Sequence, residues 1–385
     1  MVQLTIKQQQ ELCEILAKFG IHEVRDVHGH GDGHIHSTYL VTTAYAKYIL
    51  QKVNTVAFRD VDALMQNIEL VTAHLKKKLA QAGKNPLRHT LTVHRALDGA
   101  PYYREYNHVY RVYLFIEGES RNQANPADME AAGAAFGEFQ NMLADFPSSC
   151  LDETIPHFHD TPRRMDNLEK SIEADVMGRR AECEDLIAFA RAHADLAHSV
   201  TDEIAKGLVP LRVTHNDTKL NNLLFDPKTN EAFCVLDLDT VMPGSLLYDF
   251  GDALRFGMAT APEDERDEAK IGISLDNYRG FTRGFVREAG NAMTDKEKEL
   301  LPLSPLLLTF ECGIRFLTDY LDGDKYFHIA CPDHNLARAR NQLTLVRRME
   351  EAYETMKQIT EEVLNENMIT RTTSRLTSSF ALPVG

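Results

Sequence analysis

The segments "LRVTHNDTKLNNLLFD" (residues 211–226) and "AFCVLDLDTVMPG" (residues 232–244) form a strand-and-loop pair inside a half of the chain that otherwise reads as helix. Phe233, Cys234, Val235 and Leu236 make an apolar run bounded by polar residues, the mark of a short buried strand. Its end delivers Asp237, while the earlier segment delivers His215, Asp217, Lys219 and Asn222. A helical body must therefore close around one polar loop and one strand end.

The first third has a different texture. Residues 6–19 place Leu12, Ile15, Leu16 and Phe19 on one helical face. The glycines of "HGHGDGHIHSTYLVTT" suit a tight turn, and residues 39–43 suit a strand. "AKYILQKVNTVAF" reads as the next strand. Residues 60–81 repeat Leu64, Ile68, Val71, Leu75 and Leu79 at helical spacing, and "TLTVHRA" and "VYRVYLFIEG" supply further strands. After Gly118 the pattern turns helical, with long segments at 129–143, 167–198, 275–288, 303–321 and 334–362. The expectation is an α+β, bilobal protein-kinase-like fold with a small β-rich N-lobe and a larger helical C-lobe. Residues 1–117 are the nucleotide-binding lobe and residues 118–362 the catalytic and acceptor lobe. Residues 363–385 read as a flexible tail rich in Ser and Thr.

Composition excludes several functions. The chain of 385 residues carries a net charge of -15, which argues against nucleic acid, whose affinity rests on Lys and Arg. One nucleotide needs only a few local cations and a metal. No run reaches membrane-spanning length, and the first 16 residues lack a continuous apolar core. The six cysteines are widely spaced, and read as reduced thiols of a cytoplasmic protein. The pattern leaves the oligomeric state open.

Phosphoryl transfer is achieved mainly by positioning groups and offsetting charge. It needs a carboxylate for the acceptor hydroxyl and oxygen ligands for magnesium. His215-x-Asp217 with Asn222 reproduces the H-x-D-x-x-x-x-N spacing of a kinase catalytic loop. Asp217 is then the base, Asn222 a Mg2+ ligand, and Lys219 a contact for the γ-phosphate. Asp237 is the second ligand, with Asp239 the fallback. The letters DFG at 249–251 are a distraction: Asp249 lies too far downstream, and caps a helix or braces the loop. His215 reads as a buried brace.

These strings, with "GHIHSTYLV", "YILQKVN", "IPHFHDTPRR" and "GIRFLTDYLDGDKYF", resemble the phosphotransferase family of aminoglycoside, choline and homoserine kinases. "LDLDTVMPG" and "RFLTDYLDGD" resemble its N-acetylhexosamine kinase branch. The resemblance spans residues 33–327 and implies ATP- and magnesium-dependent phosphorylation of the anomeric hydroxyl of GalNAc or GlcNAc. It also implies that Arg315, Tyr326 and Phe256 bind the sugar. The alternative for Arg315 is a salt bridge to Asp319, one helical turn away.

The nucleotide lobe departs from the kinase pattern. "GDGHIHST" is not G-x-G-x-x-G, although backbone amides from Gly33 to Thr38 can cover phosphates. Lys52 matches the strand lysine, but a one-residue shift puts Gln51 there and turns the lysine to the other face. Glu69 is the expected partner of Lys52, or both are surface charges. Phe115 to Glu117 offer backbone groups to adenine. His34 and His36 are candidate substrate contacts. The histidines at 28, 30, 34 and 36, and the group His157, His159 and Asp160, resemble metal tracts but read as parts of ordered turns. The rival readings are a kinase of choline, an amino alcohol or another sugar, and a catalytically silent nucleotide-binding protein.

Overall fold

The computed structural model describes residues 4–31, 35–123 and 125–379. Helix α1 (Ile6–Ala17) starts at a capping box between Thr5 and Gln8. It is followed by β1 (Asp26–Gly29), β2 (Ser37–Thr42), β3 (Lys47–Val53), α2 (Val61–Gln81), α3 (Pro86–His89), β4 (Val93–His94), β5 (Tyr103–Glu105) and β6 (His108–Leu114). The strands form an antiparallel sheet in the order β1-β2-β3-β6-β4, with β5 also on β6.

Alternation gives the sheet two apolar faces. Leu50, Tyr110 and Val112 pack on Leu12, Ile15 and Leu16 of α1. Val53, Val109 and Tyr113 belong to the core that includes α2 and the helical part. Residues of β3 at odd numbers thus turn toward the helical part, and those at even numbers toward α1.

The helical part contains α4 (Pro126–Met142), α5 (Thr161–Ala174), α6 (Glu184–Ala192), α7 (Ala194–His198) and α8 (Thr201–Ala205). Next come β7 (Arg212–Thr214), β8 (Leu223–Phe225), β9 (Ala232–Val235) and β10 (Met242–Gly244). The chain continues through α9 (Leu246–Gly257), α10 (Leu275–Ala289), α11 (Asp295–Leu300), α12 (Ser304–Asp322), α13 (His334–Glu351) and α14 (Tyr353–Ser379). β7 pairs with β10, and β8 with β9, both antiparallel. The two small hairpins bracket the loop 215–222.

Three expectations change. The helix predicted over 167–198 is broken, because Asp175 (φ 35°) and Gly178 (φ 65°) take left-handed backbone that no helix continues through. The one predicted over 334–362 divides at Ala352. The predicted loose tail is helical as far as Ser379, since α14 runs on through its Ser/Thr-rich stretch.

Helices α4 and α10 meet at backbone distance. A Cβ on Gly284 would stand 2.1 Å from the Glu130 carbonyl, and one on Gly133 would stand 2.2 Å from that of Phe281. Both contacts are with backbone, which cannot rotate away. Gly284→Ala is expected to lower stability by about 1–3 kcal/mol, an overpacking cost. A urea midpoint equal to wild type would mean the helices can part freely.

Candidate active site

The loop after β7 is held from below by α9. Asp249, on the first turn of that helix, accepts from the backbone amides of His215 (2.9 Å) and Asn216 (2.7 Å). Gln140 of α4 donates to the same carboxylate at 2.6 Å. Asp252, one turn on, accepts from the amide of Thr218 at 3.0 Å. Ser245 supplies the N-cap of α9, so of the two expected roles Asp249 has the brace. These bonds fix the left-handed Asn216 (φ 65°), which turns the chain sharply before Asp217. Asp249 is 1% exposed, so Asp249→Ala strands two buried amides and is expected to cost about 3 kcal/mol or more. Thermal unfolding of the variant beside wild type measures this.

His215 is fully buried. Its Nδ1 accepts from the Asp217 amide at 3.2 Å, and its Nε2–H donates to the Leu236 carbonyl at 2.8 Å. It therefore ties the loop to the strand end that presents Asp237.

Asp217 sits among polar partners. Lys219 Nζ lies 2.8 Å from its Oδ1, and Asn222 Nδ2 donates to its Oδ2 at 3.1 Å and to its carbonyl at 2.8 Å. Burial pushes this carboxyl up, but Lys219, His215 and Asn222 outweigh it and hold it below the usual carboxylate range. Lys219, for its part, is held above the ordinary lysine value by Asp217 and Asp252 against the opposing effect of burial. With the amide nitrogen of Asn222 spent on Asp217, its carbonyl oxygen is left as an acceptor.

Asp237 follows β9 in a left-handed conformation (φ 53°, ψ 64°), an unusual backbone state of the kind that clusters at functional sites. Asn222 and Asp237 both line a cleft of 190 Å3 between the sheet and the helical part. Its walls include Ile49, Leu91, Phe115, Ile116 and Leu236. Desolvation by these walls, then the charges of Asp239 and Asp217, push the Asp237 carboxyl up to about 7, although the residue faces the open cleft.

Asp239 lines the same cleft but is already committed. Its carboxylate meets Arg111 Nη1 at 2.6 Å and Nη2 at 2.7 Å, and His36 Nε2 donates to the same group. Arg111 and His36 outweigh its burial and hold it low. The fallback ligand is thus already occupied.

The sequence candidates in the β-rich lobe fare unevenly. Gln51 and Thr38 line the cleft. Lys52 does not: it pairs in register with Ser37 and Tyr110, on the face covered by α1. Glu69 is ion-paired with Arg95 instead, beside a separate hollow shared with Asp62, Tyr102 and Arg104. The expected Lys52–Glu69 pair is absent among the described residues because register, fixed by both neighbouring strands, sends the lysine the wrong way.

His36 is also corrected. It is 9% exposed, and both ring nitrogens are committed, Nδ1 to the Asn54 amide at 2.9 Å and Nε2 to Asp239. It braces the site and offers nothing to substrate. Gly33 and His34 lie outside the described residues. Phe115 lines the cleft while its amide bonds the Lys47 carbonyl at 3.1 Å, and Glu117 points its side chain outward to Lys47.

On the acceptor side, Arg315 of α12 lies 5.4–5.8 Å from the rings of Phe158, Tyr326 and Phe327. It has no salt bridge to Asp319. That carboxylate instead accepts from the amides of Lys325, Tyr326 and Phe327 at 2.8–2.9 Å, shaping the loop that carries Tyr326. Arg164, Arg315, Asp322 and Tyr326 line a second hollow of 190 Å3. Next to Phe158, His159 reaches the Asn216 carbonyl at 3.4 Å and Glu311 at 2.8 Å, linking this hollow to the loop 215–222. Phe256 lies 5.4 Å from Lys219 Nζ and stacks on Arg255 at 3.7 Å.

Sequence reasoning missed Arg111 altogether. Its signal was a lone charge at an inward position of an apolar strand, between Val109 and Tyr113. Among the described residues no group of three or more His, Cys, Asp or Glu could hold a metal ion. No described helix is long and apolar enough to cross a membrane.

Comparison with known proteins gives the family and the fold. Residues 26–285 match the phosphotransferase enzyme family (APH). The chain belongs to that family.

Among solved structures it is similar to an aminoglycoside phosphotransferase from Alicyclobacillus acidocaldarius (TM-score 0.61, 13% identity, covering 94% of this chain and 98% of that one). It is similar as well to choline kinase from Cryptosporidium parvum (TM-score 0.57, 13% identity, 92% and 99%). A third is a spectinomycin phosphotransferase in complex with ADP and spectinomycin (TM-score 0.52, 13% identity, 93% and 98%). At these identities the likeness establishes the bilobal fold.

Proposed function

We propose that the protein transfers the γ-phosphate of ATP, with magnesium, to the anomeric hydroxyl of an N-acetylhexosamine, GalNAc or GlcNAc. The observation that carries this reading is the meeting of Asp217, Lys219 and Asn222 on one braced loop with Asp237 at the cleft floor.

The donor set suits magnesium. Asn222 and Asp237 offer hard oxygen atoms, and such a site takes its remaining ligands from phosphates and water. Asn222 and Asp237 would hold the ion, which would supply positive charge to offset the phosphates. Asp217 accepts the acceptor's hydroxyl proton. An anomeric hydroxyl is more acidic than an ordinary alcohol, so a carboxylate of low pKa serves as its base. Lys219, paired with Asp217 at 2.8 Å, would supply positive charge to the transferred group. The apolar cleft walls and the backbone after Phe115 suit a purine.

Arg315 and Tyr326 suit sugar oxygens, through a planar guanidinium and a phenol. Two guanidiniums (Arg164, Arg315) and two carboxylates (Asp319, Asp322) line the second hollow together with Asn167 and Thr318, a mixed donor and acceptor set that suits a neutral polyol.

Phosphorus NMR of the product, with sugars, amino alcohols and several nucleotides as candidates, tests the proposal. The expected product is a phosphomonoester coupled to the anomeric proton of GlcNAc or GalNAc. A phosphate on C6, or phosphocholine, would displace it.

A further inference from the structure

Protein kinases place a lysine on the third strand of the small lobe, where it meets the phosphates. In this chain β3 faces the cleft with Ile49 and Gln51, both uncharged. Among the described residues that line the cleft, the one lysine or arginine is Arg111, on the next strand. Resting on the nucleotide site proposed above, we propose that Arg111 is its phosphate-side cation, in place of a strand lysine, with Gln51 and Asp239 holding the guanidinium in position.

The geometry carries this in three steps. Gln51 and Arg111 stand opposite each other in the β3–β6 register. Gln51 Oε1 accepts from Arg111 Nε at 3.0 Å, while its Nε2 is turned to Thr38 Oγ1 at 3.1 Å. A lysine in place of Gln51 would face Arg111 with like charge, so a neutral acceptor at that point and an arginine across from it belong together.

Asp239 then grips the far edge of the guanidinium: Nη2 donates to Oδ2 at 2.7 Å, and Nη1 lies 2.6 Å from Oδ1 as an ion pair without hydrogen-bond geometry. Gln51 and Asp239 thus take two of the five N–H groups of the fork by hydrogen bond. A third faces Met65 Sδ at 3.9 Å, a weak acceptor. One N–H remains on each terminal nitrogen to offer a phosphate oxygen. Asp239 is shared with His36, so the carboxylate is divided between two donors.

Finally, Arg111 is 1% exposed and shares its cleft with both magnesium-ligand candidates. A rigid, preorganised fork at that spot suits phosphate geometry better than a mobile ammonium.

The test compares dissociation constants for Mg·ADP and for adenosine, which differ by the two phosphates and their magnesium. Arg111→Lys is expected to weaken Mg·ADP roughly tenfold, the loss of one charge-assisted hydrogen bond, and to leave adenosine unchanged. Because Lys at a buried site can fail to fold, a second variant, Arg111→Met/Asp239→Leu, removes the ion pair for uncharged bulk. It is expected to lose most of the preference for Mg·ADP over adenosine, and Gln51→Lys added to it is expected to restore part of that preference. If folded variants keep the wild-type preference, Arg111 only fastens the two lobes and the inference falls. If wild type itself does not bind Mg·ADP, the nucleotide reading fails first.

Discussion

Asp217→Asn is expected to lower kcat by about 10²–10⁴-fold, the usual worth of a positioned general base, with nucleotide affinity near wild type. Asparagine keeps the size of the side chain and an oxygen for the Asn222 amide, which donates to Oδ2 at 3.1 Å. What it removes is the ability to take a proton. The loop itself is held elsewhere, by Asp249 and Asp252 on the amides of His215, Asn216 and Thr218. The fold should therefore be unchanged, and the loss should appear in turnover rather than in binding. ADP release under saturating ATP and sugar measures it. A variant within a few-fold of wild type would remove Asp217 from the chemistry.

Asp237→Asn is expected to cut activity by about 10²–10³-fold and to raise the magnesium concentration needed, since a metal's charge stabilisation is worth several kcal/mol. The same change is expected to stabilise the protein in the absence of metal. Desolvation, with the charges of Asp239 and Asp217, pushes the Asp237 carboxyl up to about 7. A carboxyl raised above its unfolded value of about 3.9 resists ionisation in the folded state. It therefore costs stability progressively as pH climbs from about 4 to about 7, and the cost is fully present above that. Asparagine removes the cost and tolerates the left-handed backbone at φ 53°. Since the residue faces open solvent in the cleft, screening trims the gain. Melting in chelator at pH 8 and pH 4 is the check: a gain at pH 8 that vanishes at pH 4. A variant that is less stable at pH 8 would contradict the crowding of carboxylates at this floor.

The loop was legible because its signal is local. H-x-D-x-x-x-x-N is a spacing within eight residues, and the apolar strand before Asp237 is read off four more. Asp249, in a run of letters that invited a metal role, could be set aside by its distance along the chain, and proves to be a brace. The helices capped by Thr5, Asp60 and Ser274 begin where short polar side chains satisfy free amides, also a local matter.

The nucleotide lobe was not legible in the same way. Whether Lys52 or Gln51 faces the cleft is a question of parity, and parity is set by pairing with β2 and β6, far along the chain. His36 looked available until it was seen joined to Asp239, 203 residues away. The long helix expected over 167–198 failed at Asp175, where an aspartate can enter left-handed backbone without glycine's help.

From the amino acids alone came a two-part α+β architecture and the identity of Asp217, Asn222 and Asp237 as a set. Those follow from periodicity and from short spacings that any compact folding of the chain preserves. Tertiary structure alone decided that Arg111 lines the cleft, that the Asp239 carboxylate is spent on Arg111 and His36, and that Glu69 answers to Arg95. A buried charge takes whichever partner the packing brings within reach, and sequence separation carries no information about that distance.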